Sequence, residues 1–338
     1  MPVTVVSSFD VQAFLVQAAG VKGNAAQALS LASELSAAAP MPGSGGTAAR
    51  WQMLSDIAAI DLTAARVAEA HLDALAILSE AGLNLAAAGS TWGVFAAEAP
   101  GATVDARERP DGSWLLTGTK PWCSLAGSVS DALVTAHTPG GHRRLFAISL
   151  RDAGIEVQTG AWKSLGLAQV VSTAIELDQV SATPVGDEDW YLQRPGFAWG
   201  GMGVAACWYG GAVGIARFLF RKLAERDVDQ ISQMQVGAVD VQLTAARSVL
   251  AAAAMAVDSG AATGVAGSLL ATRVRCVVAD AAEDVITRVG HLLGPAPLAL
   301  DEDHARRVAD LQIYLRQHHA EKDEAALGRD VLAGDLPW

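Results

Sequence analysis

Three sets of side chains in this sequence have the type and spacing to do chemistry. Glu69, His71 and Asp73 crowd one short stretch, and a carboxylate in a dry pocket is a general base whose pKa is tuned by its surroundings. Lys120, Trp122, Cys123 and Ser124 bring an amine, a wide π face, a thiol and a hydroxyl into five consecutive positions. His318 and His319 stand side by side in Tyr314-Leu315-Arg316-Gln317-His318-His319, and imidazoles titrate near neutrality. Each set also has a structural reading, as a solvated helix face or a packed core group. Cys123, Cys207 and Cys276 lack C-x-x-C spacing, which argues against a zinc site and leaves no metal expected.

The elements that must hold these groups follow from the flanking residues. Residues 112–136, GSWLLTGTKPWCSLAGSVSDALVTA, contain two β-like runs around a polar centre, preceded by the turn residues Pro110-Asp111-Gly112. They read as a hairpin whose connection carries the aromatic, the hydroxyl and the lysine. Alternation continues through residues 145–148, 155–157, 172–177 and 180–185, separated by turn residues, as in a small antiparallel barrel or sandwich. Ahead of it, residues 11–39 have helical periodicity, Pro40-Met41-Pro42-Gly43 interrupts, and Thr47 is placed to cap a helix over 48–80 that ends at Gly82. Glu69, His71 and Asp73 lie on that helix. After residue 196 the chain reads as helices around 211–216 and over 236–258, 262–293 and 303–328, long spans with short links that predict antiparallel bundle packing.

With 338 residues the chain has room for two or three units, assigned as 1–90 helical, 91–193 β and 194–338 helical. Its 51% hydrophobic and 18% charged content specifies a folded protein. A net charge of −12 with no basic cluster argues against nucleic acid as a partner. Isolated cysteines suggest a reducing compartment, and MPVTVVSSFDVQAF lacks the basic start and apolar core of a signal peptide, so a cytoplasmic location is expected. Residues 195–216 are uncharged and long enough to span a membrane, but seven glycines punctuate them, and a closely packed buried helix explains them better than a membrane span. Gly201-x-Gly203 follows no Val/Ile strand, so a Rossmann loop is not supported.

Gly118-Thr119-Lys120-Pro121-Trp122-Cys123-Ser124 resembles the central β-domain string of the acyl-CoA dehydrogenase superfamily. The resemblance covers about residues 45–330. It implies an α+β fold with a helical N-terminal region, a small antiparallel β-barrel or sandwich and a C-terminal four-helix bundle, with FAD between barrel and bundle in a homodimer or homotetramer. It places Trp122 against the flavin ring and Ser124 at the ring's reactive edge. Thr103 stands for a hydroxyl of the turn that holds the cofactor, while Ala97 replaces an expected Thr. Trp162-x-x-x-Gly166-Leu167 matches a segment leading to the flavin edge. Arg226 and Gln235 take the places of residues that reach a neighbouring subunit's flavin, although Arg226-Asp227-Val228-Asp229 lacks the usual R-x-T-F. Gly290 and Gly294 stand for the turn that meets the pyrophosphate.

The resemblance departs at the base. Arg307-Val308-Ala309-Asp310 fits the string that precedes the usual Glu, but the base position falls on or near Arg316, and the alternative location on Ala205. The expected activity is FAD-dependent oxidation of a CH–CH bond in a small-molecule acyl thioester or related substrate, with the base moved to Glu69, Asp73 or His318. A flavin monooxygenase using His318 or His319 is a second reading. A flavin-free binding or structural homologue is a third.

Overall fold

The computed structural model describes residues 11–225 and 227–334. Its front is helical, with α1 (Val11–Val21), α2 (Ala25–Leu35), α3 (Thr47–Ile60) and α4 (Leu62–Glu80). The helix expected over 11–39 is two helices, because Lys22 and Gly23 take positive φ and Asn24 caps α2, accepting the Gln27 N–H at 3.0 Å. The helix expected over 48–80 is also two. Asp61 leaves helical geometry at φ −146° and ψ 119° and caps α4 by accepting the Ala64 N–H at 2.8 Å. Thr47 is the first residue of α3, not its cap. Its hydroxyl accepts the Gly43 N–H and donates to Asp258 at 2.5 Å.

The strands are β1 (Trp92–Phe95), β2 (Val104–Glu108), β3 (Trp114–Ser124), β4 (Asp131–His137), β5 (Arg143–Ser149), β6 (Ile155–Val157) and β7 (Ser172–Val185). They form one sheet in the order β1-β4-β2-β3-β7-β5, with β6 on β7, and the further pairing of β4 with β5 closes the path into a small barrel. Pairs are antiparallel except that β4 runs parallel to β1 and β2.

The hairpin expected within residues 112–136 does not form. β3 pairs with β2 and β7, while β4 pairs with β1, β2 and β5. Residues 132–136 of β4 are all buried, which a strand covered on both faces and paired on both edges achieves and an isolated hairpin strand does not. The Pro110-Asp111-Gly112 turn instead joins β2 to β3, with the Gly112 N–H on the Arg109 carbonyl at 2.9 Å.

The C-terminal part contains α5 (Trp190–Gln193), α6 (Pro195–Leu223), α7 (Gln230–Asp258), α8 (Gly264–Leu293), α9 (Ala296–Leu300), α10 (Glu302–Leu315) and α11 (Glu321–Ala333). α6 is the central rod, packing on α3, α7, α8 and α10. Its glycines let backbones touch: a Cβ on Gly210 would lie 2.1 Å from the Ser55 carbonyl oxygen, and one on Gly214 2.5 Å from that of Ala59. α6 and α7 are long and apolar enough to cross a membrane, and 67% of the most apolar window of α6 is buried inside the protein. The helix expected over 303–328 breaks between α10 and α11, where Ala320 takes φ +48°. That break positions His319.

Candidate functional site

Two cavities, of about 670 and 750 Å³, share part of their walls at α4. The smaller lies between the barrel and α4 and α10, with Trp122, Ser124, Trp162 and Tyr314 in its wall. The larger lies between the start of α6 and the first half of α8, with Gly201, Val204, Val265, Ser268 and Thr272. Glu69, Asp73, Tyr191, Phe197 and His319 line both. Glu69 and Asp73 are neighbours because residues four apart share a helix face. His71, between them, points elsewhere: its Nδ1 accepts the Trp92 N–H at 3.1 Å, and burial lowers its pKa to about 4.

Along β3 the chemistry-bearing residues divide by direction. Lys120 is buried in the barrel, its Nζ donating to the Thr135 carbonyl at 2.9 Å and hydroxyl at 2.7 Å, and burial lowers its pKa to about 8. Cys123 is also buried, which pushes its thiol up to about 12. Trp122 sits in an irregularity of the ladder between Lys120 and Cys123, has φ +59°, and leaves 60% of its surface exposed. A large residue held in the left-handed region costs energy, and such strain concentrates at functional sites. Ser124 Oγ donates to Ser172 Oγ at 2.8 Å, since the Ser172 hydroxyl itself donates to the Val170 carbonyl. Arg66 Nη2 stands 3.4 Å from Ser124 Oγ on the other side.

The two carboxylates differ. Glu69 is held: it accepts from Arg66 Nη1 at 3.0 Å and from the Tyr314 hydroxyl at 3.2 Å. Burial raises its pKa and the Arg66 charge opposes that. The Asp73 carboxylate makes no hydrogen bond among the described residues. Burial raises its pKa too, against the pull of Arg194 and Arg50. Arg194 is committed to Glu80 at 2.6 Å, and Arg50 donates to the Pro40 carbonyl at 3.0 Å. Asp73 is therefore the carboxylate at the shared wall with neither oxygen hydrogen-bonded among the described residues, whereas Arg66 and Tyr314 both hold Glu69 by its Oε2.

The remaining candidates are placed as follows. His318 lines neither cavity. Its ring is buried against Trp208, with centroids 6.2 Å apart, and its Nε2 lies 3.5 Å from Cys276 Sγ. Thr103 is exposed outside both cavities, its carbonyl accepting the Thr119 N–H at 2.8 Å. Gln235 of α7 accepts from Arg288 Nη1 of α8 at 3.0 Å, and Gly290 and Gly294 lie at the C-terminal end of α8. None of these three lines either cavity. Arg226 lies outside the described residues.

The structure adds residues that sequence reading passed over. Arg66, three positions before Glu69, was open to a search for helical charge pairs. Tyr314 reaches Glu69 across 245 positions and left no local signal. The Gly166-Leu167 and Ala309-Asp310 segments, read separately, dock on each other: the Leu167 N–H donates to Asp310 Oδ1 at 2.5 Å, and a Cβ on Gly166 would lie 2.0 Å from the Ala309 carbonyl. This contact ties α10, and so Tyr314, to the barrel side of the smaller cavity.

The sequence matches no protein-family model and no curated protein. Solved structures do match over nearly the whole chain. FMN-bound TdsC from a Paenibacillus species, a dibenzothiophene monooxygenase, superposes with a TM-score of 0.74 at 17% identity, covering 95% of this chain and 97% of that one. A steroid ACAD variant gives a TM-score of 0.72 at 21% identity, covering 96% and 98%. The chain has the acyl-CoA dehydrogenase fold. KijD3, solved with FMN and a dTDP-linked amino-keto sugar, shares this fold with a TM-score of 0.77 at 18% identity over 96% and 91% of the two chains.

Proposed function

We propose that the chain is a flavin-dependent oxidoreductase. The flavin ring lies on Trp122 in the smaller cavity, a small organic substrate occupies the larger one, and Asp73 is the acid–base group between them. The observation that carries this reading is that Asp73, its carboxylate without a hydrogen bond among the described residues, lines the same cavity as the strained, exposed Trp122 and also the adjoining cavity. The residues present suit a flavin. Trp122 offers a π face, Ser124 a hydroxyl, and Trp162 Nε1 is a buried donor with no partner among the described residues. That two fold neighbours carry FMN supports the reading.

A bound flavin would supply two-electron redox chemistry; the chain's own residues supply position and proton transfer. Asp73, raised by burial, is poised to take a proton from a carbon acidified by a neighbouring carbonyl. Tyr191 and Phe197 separate the two compartments with aromatic surface, and Glu69, held by Arg66 and Tyr314, stays fixed. The substrate we favour is an acyl thioester oxidised at a CH–CH bond. Monooxygenation is the second reading, favoured by His319, which lines both cavities beside Asp323. FAD is the form implied by the sequence resemblance, yet the cavity accounts for the part common to FAD and FMN, since Gln235, Gly290 and Gly294 stand elsewhere in the chain. We place those residues at the flavin of a second copy in a homodimer or homotetramer.

Anaerobic titration of the flavin-loaded protein with acyl thioesters tests the chemistry. Bleaching by thioester alone supports dehydrogenation. A flavin that ignores every thioester, and turns over only with an external reductant and oxygen, replaces it with monooxygenation. The mass of the cofactor released by denaturation separates FMN from FAD.

A further inference from the structure

Of the two arginines lining the smaller cavity, Arg66 and Arg316, Arg66 is the one that reaches Ser124. It projects from α4 with only 14% of its side chain exposed, and its guanidinium has two directed contacts. Nη1 meets Glu69 at 3.0 Å, and Nη2 stands 3.4 Å from Ser124 Oγ. Its flank lies 5.7 Å from the centroid of the Tyr314 ring, whose hydroxyl donates to the same Glu69 oxygen. The cluster thus runs from a carboxylate at the shared wall to the hydroxyl assigned to the flavin edge. A buried charge acts over short range with little screening.

We infer that Arg66 is a positioning residue that sets the electron affinity of the bound flavin, and that Glu69 is its counter-ion and not the proton-transfer base. The inference rests on the flavin reading above. Two electrons and one proton convert a neutral oxidised flavin ring to an anionic reduced one, so a cation at its edge stabilises the reduced form and a neutralising carboxylate moderates that effect. This divides the labour of the two α4 carboxylates: Glu69 balances Arg66, and Asp73 moves the proton.

The test is the midpoint potential of the flavin-loaded protein, measured by dithionite titration beside a reference dye, for wild type, Glu69→Gln and the double variant Arg66→Met/Glu69→Gln. Glu69→Gln keeps the shape and leaves Arg66 uncompensated. It should favour reduced over oxidised flavin by about tenfold in the ratio of dissociation constants, about 30 mV for a two-electron couple. The double variant removes the cation as well, and its potential should fall back to the wild-type value or below. Reduced thermal stability with an unmoved potential in both variants would mean a purely structural ion pair and overturns the inference alone. A shift in Glu69→Gln that persists in the double variant also overturns it, because Arg66 is then not its source. A wild-type protein that binds neither FMN nor FAD removes the flavin reading itself, and this inference with it.

Discussion

A Cβ on Gly200 would lie 2.8 Å from Oδ1 of Asp73. The carboxylate thus rests against the first turns of α6 at a point where only a glycine leaves room. Substituting Gly200→Ala must move the Asp73 side chain, because the α6 backbone is pinned by its crossing with α3 at Gly210 and Gly214. Misplacement of a catalytic group by about 1 Å can cost on the order of 100-fold in rate. The expected result is a kcat lowered by about that factor, with flavin content retained and the melting temperature within a few degrees of wild type. Stopped-flow reduction and a thermal melt of the same preparation check both.

Asp73→Asn keeps the shape and removes the base. Its rate should fall by roughly 10²–10⁴-fold, the usual contribution of a positioned general base. Burial raises the Asp73 pKa, and a base works only when deprotonated. Wild-type kcat/KM should therefore rise with pH through that raised value, and the Asn variant should lose this limb. The same shift fixes a stability sign. A carboxyl group with a raised folded-state pKa binds a proton that the unfolded chain has already released, so its ionisation destabilises the fold as pH rises. Asp73→Asn should be at least as stable as wild type at neutral pH, which a denaturant melt checks.

Trp122 ties a binding role to a backbone cost. With φ +59° and 60% exposure, its side chain adds little to the core while its backbone is strained. Trp122→Gly should relieve the strain and match or exceed wild type by up to about 1 kcal/mol, while flavin affinity falls at least tenfold. Trp122→Ala should lose the affinity without gaining the stability. Flavin titration followed by fluorescence and chemical denaturation measure the two separately.

Asp310 offers a pH test of the α10 anchor. Its carboxylate accepts the Leu167 N–H at 2.5 Å, and burial raises its pKa from 3.8 to about 6. The folded state holds the extra proton between about pH 4 and 6, so stability is greatest below this window, falls through it and is flat above it. Asp310→Asn keeps an acceptor for Leu167 without the ionisation. It should be more stable than wild type at pH 8, by on the order of 1–3 kcal/mol, and indistinguishable at pH 4. Melting temperatures across that range decide it.

What the sequence disclosed depended on how local the cause was. The residue 118–124 string showed itself because its amine, aromatic, thiol and hydroxyl fall within one strand and resemble a known family string, whereas the register shift against β7 around Trp122 was not legible. The bundle was legible from apolar spacing. The break at Asp61 was hidden, since α3 and α4 both bury apolar residues on either side of it and the periodicity runs through. The break at Ala320 was hidden for a different reason: its left-handed φ is adopted by a residue with no preference for it. Pairing of β4 with β1 and β5, in place of β3, is a long-range choice that alternation cannot express. At the site, Glu69 and Asp73 were visible as a helical pair. Their difference was not, because the Tyr314 contact that holds Glu69 comes from α10 and the opening beside Asp73 from Gly200. His318 and His319 are adjacent in sequence, yet one packs on Trp208 and the other lines both cavities, a distinction set by the turn after α10.

The measurement that bears most directly on the central claim is the visible absorption spectrum of the purified protein, before and after incubation with FMN or FAD and removal of the excess. The account predicts flavin bands at one flavin per chain, shifted from free flavin by contact with Trp122, and a clear loss of occupancy in Trp122→Ala. A protein that stays colourless after incubation with either flavin, while folded by circular dichroism, would contradict it.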